Sequence, residues 1–476
     1  MKDLFRQHLL LFFSISVLFS CSPFEPRLMP GAAGELPDAY SLYGQEPDLS
    51  SPWWVSVGAP ELNRLILTAL ADNFTLKEAW ARLQQARSLA IQAGAGLYPE
   101  LEATGSADYT RLRSENTSGS SAGRDSYALG LVSSYELDLW GRLRSQREAA
   151  LFGVNAREDD LSTARVTLAA EVADRWVQIV SQRLQMQLLD KQLKNNLTFL
   201  ELIELRFRKA MVSALDVYQQ KQVVESVRAR LPLVEAESQL LMHELAVLLG
   251  RPPRADLGLI QTQIPVVDQL PGLGLPADLL ANRPDVRAAG SRLKAAEWQV
   301  AAARANRLPA LRFSAGAQYG TSDMDLLFDT WLLNLAANLT APIFDGGRRA
   351  AEVDRARAQA DENLWTYRQT VLTAVKEVED ALESETRQRE HIHGLESVMA
   401  AARRGLEEAI QRYRRGLSDY LPVLTQLIAV QDLERDLIRQ REALVRYRIG
   451  LHRALGGGWI DRADTPGASM GDQRRG

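Results

Sequence analysis

Along this chain the spacing of apolar positions changes several times. From Leu101 to Thr110 it alternates: Leu101, Ala103, Gly105, Ala107 and Tyr109 stand against Glu102, Thr104, Ser106, Asp108 and Thr110. That is the period of a strand with one apolar and one polar face. The alternation returns in Tyr127, Leu129, Leu131, Tyr135 and Leu137, in Leu311, Phe313, Ala315, Ala317 and Tyr319, and in Trp331, Leu333, Leu335, Ala337 and Leu339. Four strands are predicted, over 100–111, 126–139, 310–320 and 331–341. Elsewhere the step is three and four. Leu364, Tyr367, Val371, Val375, Val378 and Leu382 form one such stripe, and Val430, Leu437, Leu444 and Leu451 step by sevens, as in helices that pack on other helices.

The order of elements is written twice. Arg206-Phe207-Arg208-Lys209-Ala210 returns as Arg412-Tyr413-Arg414-Arg415-Gly416, and the same step carries Gly141-Arg142 onto Gly347-Arg348 and Leu249-Gly250 onto Leu455-Gly456. Leu83, Ala86, Ala93, Pro99 and Leu101 match Leu293, Ala296, Ala303, Pro309 and Leu311 at a step four residues larger. Each copy predicts one helix of moderate length (62–97, then 276–307), two strands, and a long helical hairpin. The hairpins turn at Ala210 to Ser213 and Gly416 to Asp419, where the periodicity stops, Gly416 takes a positive φ at low cost, and Pro422 suits a first helical turn. The descending arms, of about 68 residues, reach near 100 Å at about 1.5 Å per residue. Pro232 inside one returning arm predicts a kink. The chain therefore divides into a signal peptide (1–20), an extended segment (21–60), a first repeat (61–250), a Pro- and Gly-rich linker (251–275), a second repeat (276–458) and a disordered tail (459–476). Leu112 to Arg124 is expected to be a loose hairpin loop.

What faces the apolar side of the strands follows from their ends. Aromatic residues lie toward the ends of the apolar faces while polar residues line the other side, the arrangement of outer-membrane barrels; a soluble sheet packed on helices gives the same alternation without that requirement. Four strands cannot close a barrel, and an open sheet edge in lipid leaves backbone groups unsatisfied at several kcal/mol each. If these strands meet lipid, other copies of the chain must complete the wall.

Composition adds little except at the start. The 476 residues are 46% hydrophobic and 24% charged with a net charge of −4, which suggests neither nucleic acid nor an acidic surface as partner. Lys2 and Arg6 precede an apolar run from Leu9 to Phe19, too short to span a bilayer, followed by Cys21, the only cysteine. This fits a secretory signal, and Leu18-Phe19-Ser20-Cys21 resembles the lipobox of bacterial lipoproteins, which makes Cys21 the expected lipidation site; a plain signal peptide cut nearby would instead leave Cys21 a free thiol. Catalytic chemistry finds no support: His391 and His393 point to different sides of a helix, and Gly456 to Gly458 lack the Lys-Ser/Thr of a phosphate loop. No catalytic residue, cofactor or metal site is expected.

The set of motifs Asp138-Leu139-Trp140-Gly141-Arg142, Asn282-Arg283-Pro284-Asp285-Val286, Pro342-Ile343-Phe344-Asp345-Gly346-Gly347-Arg348, the two turns and Leu455-Gly456-Gly457-Gly458-Trp459 strongly resembles the TolC-like outer membrane efflux family, in particular its lipoprotein branch of NodT and OprM type. The resemblance implies a mainly α fold with a β-barrel part: a homotrimer with four strands per chain in a 12-stranded outer-membrane barrel, and coiled-coil helices forming a periplasmic α-barrel. It implies an exit duct for drugs or other small molecules, joined through a periplasmic adaptor to an inner-membrane RND-type transporter. By the same resemblance the helical turns form the tip, the closing constriction and the adaptor contact: Arg206, Ala210, Met211, Val212 and Ser213 in the first copy, and Arg412, Arg415, Gly416, Leu417, Ser418 and Asp419 in the second. Ala210 stands where glycine is common. In a trimer Leu417 and Asp419 give an apolar and a carboxylate ring that gate by dewetting and charge; Asp419 reads equally as the cap of the returning helix, and Arg412 and Arg415 as ties to carboxylates of neighbouring helices. Two other readings stay open, a lipid-anchored periplasmic scaffold or adaptor and a duct for proteins or metal ions.

Overall fold

The computed structural model describes residues 24, 26, 33–34, 36–41, 52–55, 57–113, 121–267 and 270–457. Cys21, the signal segment and the tail expected from 459 lie outside them. In chain order the elements are α1 (Pro60–Asp72), α2 (Phe74–Ala95), β1 (Glu100–Arg113), β2 (Ser121–Leu137), α3 (Arg142–Arg208), α4 (Ala214–Leu248), a short α5 (Leu279–Asn282), α6 (Pro284–Ala305), β3 (Ala310–Thr321), β4 (Trp331–Thr340), α7 (Arg348–Arg414) and α8 (Leu421–Ala454). Each of α3 and α7 has 67 residues, so each is about 100 Å long at a rise of about 1.5 Å. Among the described residues no helix is long and apolar enough to cross a membrane.

The described residues form two compact units, and each draws on both copies of the repeat. One includes 81–158 and 288–369; the other includes 35–80, 159–287 and 370–457. The first unit holds the sheet, four antiparallel strands in the order β1-β2-β3-β4. Both predicted hairpins are present, but the first is longer than its sequence suggests. Leu112 and Arg113 pair with Ala122 and Ser121, and ladder hydrogen bonds make strand of residues whose Ser, Gly and Asp content favours loops. β2 stops at Leu137 rather than 139 because Asp138 turns to the next helix and accepts from the backbone N–H groups of Leu143 and Arg144 at 3.0 and 2.9 Å. Asp345 does the same for α7, accepting from Gly347 and Arg349.

The second unit is helical, with Trp176, Ile179, Ile203, Leu245, Val378, Leu382 and Leu451 fully or almost fully buried. The stripe running from Leu364 is buried at Leu364, Val371, Val378 and Leu382, which is the packing its heptad spacing requires. One expectation fails twice in the same way. The opening helix of each copy is broken, at Asn73 between α1 and α2 and at Arg283 between α5 and α6. Asn73 Nδ2 donates to the carbonyl of Leu248 at 2.9 Å while its Oδ1 caps α2 by accepting from Leu76. Arg283 Nη1 donates to the carbonyl of Ala454 at 3.1 Å and to Glu377 at 2.7 Å, and its Nη2 to Asp285 at 2.6 Å. The two breaks are equivalent positions serving equivalent carbonyls, the last of α4 and the last of α8. Pro232 lies within α4, which continues on both sides of it.

Four long helices end alike. The N–H groups of Ala210 and Met211 reach the carbonyls of Phe207 and Arg206; those of Gly416 and Leu417 reach Tyr413 and Arg412; those of Gly250 and Arg251 reach Val247 and Ala246; those of Gly456 and Gly457 reach Arg453 and His452. This paired capping needs a residue of positive φ, and the values are +56° at Ala210, +72° at Gly416, +69° at Gly250 and +89° at Gly456.

Candidate functional site: sheet face and helical tip

The register of the sheet decides which side chains share a face. Leu101 lies opposite Ser133, Ala103 opposite Leu131, Gly105 opposite Leu129 and Ala107 opposite Tyr127. Leu129 continues to Tyr319, Tyr135 to Phe313 and Leu137 to Leu311; Tyr319 continues to Trp331 and Leu311 to Leu339. Because partners across a ladder project to the same side, the apolar sets of all four strands fall on one face. The other face carries Glu102, Thr104, Ser126, Ser134, Glu136, Arg312, Gln318, Asn334 and Asn338. Tyr319 and Trp331 sit toward one end of the apolar face and Tyr135 and Phe313 toward the other. Phe313 and Tyr319 are roughly 20 Å apart at about 3.4 Å per residue, close to the apolar band of about 25 Å between the aromatic girdles of a membrane barrel. Leu335, Leu339 and Trp331 are exposed, and among the described residues both outer strands, β1 and β4, have a free edge.

At the helical tip the two turns share one apolar cluster. Ile203 and Val223 of the first hairpin pack with Ala409, Tyr413, Tyr420, Val423 and Leu424 of the second, and Val212 leans on them. The guanidinium of Arg206 stands over the Tyr413 ring at 4.5 Å, so the turn motifs of the two copies meet as a cation and a π surface, Arg206 of the first against the counterpart of Phe207 in the second. Ala210 and Met211 are exposed in the first turn, and Arg412, Arg415, Gly416, Leu417 and Asp419 in the second. Among the described residues neither Arg412 nor Arg415 has an ion-pair partner within the chain, so the tie to carboxylates expected of them is not made there. The capping role weighed for Asp419 is not taken up: the N-cap position of α8 falls on Tyr420 and carries no side-chain hydrogen bond. The first copy differs. Ser213 caps α4 in a reciprocal box with Asp216, each side chain accepting from the other's backbone N–H, at 3.3 and 2.9 Å.

Above the tip lies a polar ladder that the apolar stripes concealed. Tyr420 donates its hydroxyl to Gln220 Oε1 at 2.7 Å, and Gln220 Nε2 donates to the carbonyl of Asn196 at 2.9 Å. Asn196 and Gln431 exchange amide hydrogen bonds at 3.2 and 3.1 Å; Gln192 donates to the Gln431 carbonyl and accepts from the buried Arg435. Each of these groups is buried and paired, which fixes the register of α3 against α8, because any slide leaves amides unpaired. Burial raises the Tyr420 phenol, reinforced by Tyr413 and Asp216. The sequence signal was present as Gln192, Asn196, Gln220 and Gln431, polar residues at helical positions otherwise apolar.

This sheet, amphipathic with its apolar face uncovered, joined to helical hairpins of such length, is matched by known proteins. The sequence pattern of the outer membrane efflux protein family matches residues 65–251 and 275–457. The chain belongs to that family. It is 37% identical over 433 residues to the pyoverdine export outer membrane protein OpmQ of Pseudomonas aeruginosa, covering 88% of this chain and 90% of OpmQ. It is 31% identical over 406 residues to the solvent efflux pump outer membrane protein SrpC of Pseudomonas putida, covering 84% and 86%. The solved outer membrane protein VceC of Vibrio cholerae is similar with a TM-score of 0.80 and 28% identity, over 87% of this chain and all of VceC. As a member of this family the protein is an outer-membrane exit duct of an efflux pump, and the scaffold reading is set aside.

Proposed function

We propose that this efflux protein works as a homotrimer whose twelve strands close one outer-membrane barrel, and whose helical hairpins receive small molecules from a periplasmic adaptor and an inner-membrane RND-type transporter. The observation that carries the reading is the sheet: four strands, one face mostly apolar with Leu101, Leu129, Trp331, Leu335 and Leu339 exposed on it, and two edges unpaired among the described residues. Such a sheet is stable in a bilayer only when every edge is closed, and twelve strands lie within the range of membrane barrels. Cys21 serves as the acyl attachment that holds the mature chain to the membrane surface.

At the tip, exposed Met211 and Leu417 offer apolar contact to the adaptor, while Asp419, exposed and uncapped, supplies a ring of carboxylates around the constriction. Arg206, Ala210, Val212 and Ser213 hold the first turn, and Arg412, Arg415, Gly416 and Ser418 the second. The cargo is a small organic molecule, for which pyoverdine and solvents, named for the relatives OpmQ and SrpC, are the first compounds to try. The decisive measurement is mass in detergent by light scattering together with conductance in planar bilayers. A trimer with a channel is expected, and a monomer that stays soluble without detergent overturns the reading. Asp419→Ala combined with Arg412→Ala should raise closed-state conductance; an unchanged value removes these residues from the gate.

A further inference from the structure

The internal repeat is visible in the sheet as well as in the sequence. The step that carries Gly141-Arg142 onto Gly347-Arg348 also carries β2 onto β4, and the step that carries Pro99 onto Pro309 carries β1 onto β3. Every pair of the second hairpin obeys both steps. Leu101 opposite Ser133 becomes Leu311 opposite Leu339, Ala103 opposite Leu131 becomes Phe313 opposite Ala337, and Tyr109 opposite Asp125 becomes Tyr319 opposite Trp331. The joint between copies, β2 on β3, is also inside the chain, with Leu137 opposite Leu311, Tyr135 opposite Phe313 and Leu129 opposite Tyr319. Among the described residues only the equivalent joint, β4 on a β1, has no partner within one chain.

From this we infer the register of the subunit joint. Resting on the trimeric reading above, β4 pairs antiparallel with β1 of the next protomer so that Ile343 faces the partner's Leu101, Leu339 the partner's Gly105, Asn338 the partner's Ser106, Ala337 the partner's Ala107 and Leu335 the partner's Tyr109. The assignment follows from applying the two steps to the β2–β3 register. Heterologous contacts repeated around an axis close a ring when each joint turns the chain by the same angle, and a joint shaped like the internal one makes all six joints alike.

Three observations bear on the assignment independently of the arithmetic. The faces agree: Leu101, Ala103, Gly105, Ala107 and Tyr109 meet apolar-face positions, and Thr104, Ser106 and Thr110 meet Thr340, Asn338 and Asn334, whereas a slip by one residue would oppose the faces. Side chains where the internal joint is made are partly covered, and their equivalents are bare. Leu137 and Leu311 are half-buried, while Ile343 and Phe344 are 92% and 91% exposed and Leu101 is 68% exposed. β4 stops at Thr340 where β2 runs on to the residue equivalent to Ile343, as expected when the strand that would extend it is missing.

The charges complete the picture. In the internal joint Glu136 of β2 receives Arg142 at 2.6 Å and Arg312 of β3 at 3.1 Å. In the open joint the equivalents are Pro342, Arg348 and the partner's Glu102, so the carboxylate comes from across the joint to meet Arg348. Among the described residues neither Arg348 nor Glu102 has a salt bridge within the chain.

Cysteine pairing in the full-length trimer tests the register. Asn338→Cys is combined with Ser106→Cys, and separately with Glu102→Cys and Thr110→Cys, all on the polar face where substitution spares the lipid side; each single variant controls for Cys21. Directly opposed positions approach to about 4.5–5.5 Å between Cβ atoms, within small adjustment of disulfide geometry, whereas positions four residues along do not. The expected result is covalent dimers and trimers on oxidation of the first pair, roughly tenfold above the other two. Stronger cross-linking at 102 or 110, or none at any position in a protein that remains trimeric, overturns the register while leaving the trimer intact. A protein monomeric in detergent overturns the trimer itself. As a second readout, Glu102→Arg should lower the temperature at which the trimer dissociates, and adding Arg348→Glu should restore it; failure of that rescue removes the ion pair from the joint.

Discussion

Ala210 occupies the position that Gly416, Gly250 and Gly456 hold in the other three helix ends, with φ at +56°. An L-residue in that region costs about 1–2 kcal/mol. Ala210→Gly is therefore expected to raise stability by about 1 kcal/mol, and Gly416→Ala to lower it by a similar amount, read from urea midpoints of the purified protein. Gly250 and Gly456 carry a second constraint. A Cβ on Gly250 would stand 2.6 Å from the carbonyl oxygen of Asp72, and one on Gly456 2.9 Å from that of Asn282. Alanine at either is expected to cost about 2–3 kcal/mol, strain and clash together, more than at Gly416, where nothing lies within 4 Å. His452 stacks on Trp53 at 5.1 Å. Burial, and secondarily the charge of Arg448, lower its pKa to about 4. The unfolded chain then binds a proton between about pH 6.5 and 4 that the folded chain refuses. Stability from this residue is present above pH 6.5, is lost as pH falls toward 4, and amounts to about 3 kcal/mol at about 1.4 kcal/mol per unit. His452→Phe should flatten the melting temperature over that range.

At the scale of elements, the breaks at Asn73 and Arg283 solve one problem with different chemistry. The last carbonyl of α4 or α8 is an acceptor without a helical partner, and a donor from the opening helix of the same copy supplies it. Arg283 is the costlier of the two to lose. Burial opposes its charge, but hydrogen bonds and charges from Asp285 and Glu377 outweigh it and hold the guanidinium above the ordinary arginine value. Arg283→Met leaves that carbonyl and Glu377 without it, and is expected to destabilise by about 3–5 kcal/mol; Asn73→Ala should cost about 1–2 kcal/mol. Thermal melts of the two variants decide the order.

For the whole molecule the controlling fact is that one face of the sheet must meet hydrocarbon and its edges must meet other strands. A charge at Leu335, in the middle of β4 on the apolar face, is expected to cost about 2–4 kcal/mol per subunit in the bilayer. Leu335→Arg should abolish the trimer measured by light scattering in detergent, whereas Asn334→Arg, one residue away on the polar face, should leave it standing. Equal loss from both would show that β4 does not alternate between lipid and lumen.

The strands, the duplication and the two turns were legible in the sequence because they rest on local rules: alternation for Leu101 to Thr110, helical stripes at steps of three, four and seven, and interruption at Gly416. The positive φ at Ala210 was legible only through its partner in the repeat. The helix breaks were hidden, since Asn73 and Arg283 lie inside windows that read as helix and are drawn out by carbonyls some 170 residues further along the chain. The pairing of Asn196 with Gln431 and of Arg206 with Tyr413 was hidden for the same reason: a polar or charged side chain states its need for a partner, but only packing says which one. Sequence alone settled what kind of surface each element presents, because that depends on neighbours a few residues away. Tertiary structure decided register, of strand on strand and helix on helix, because register is fixed by groups far apart in the chain satisfying one another's hydrogen bonds.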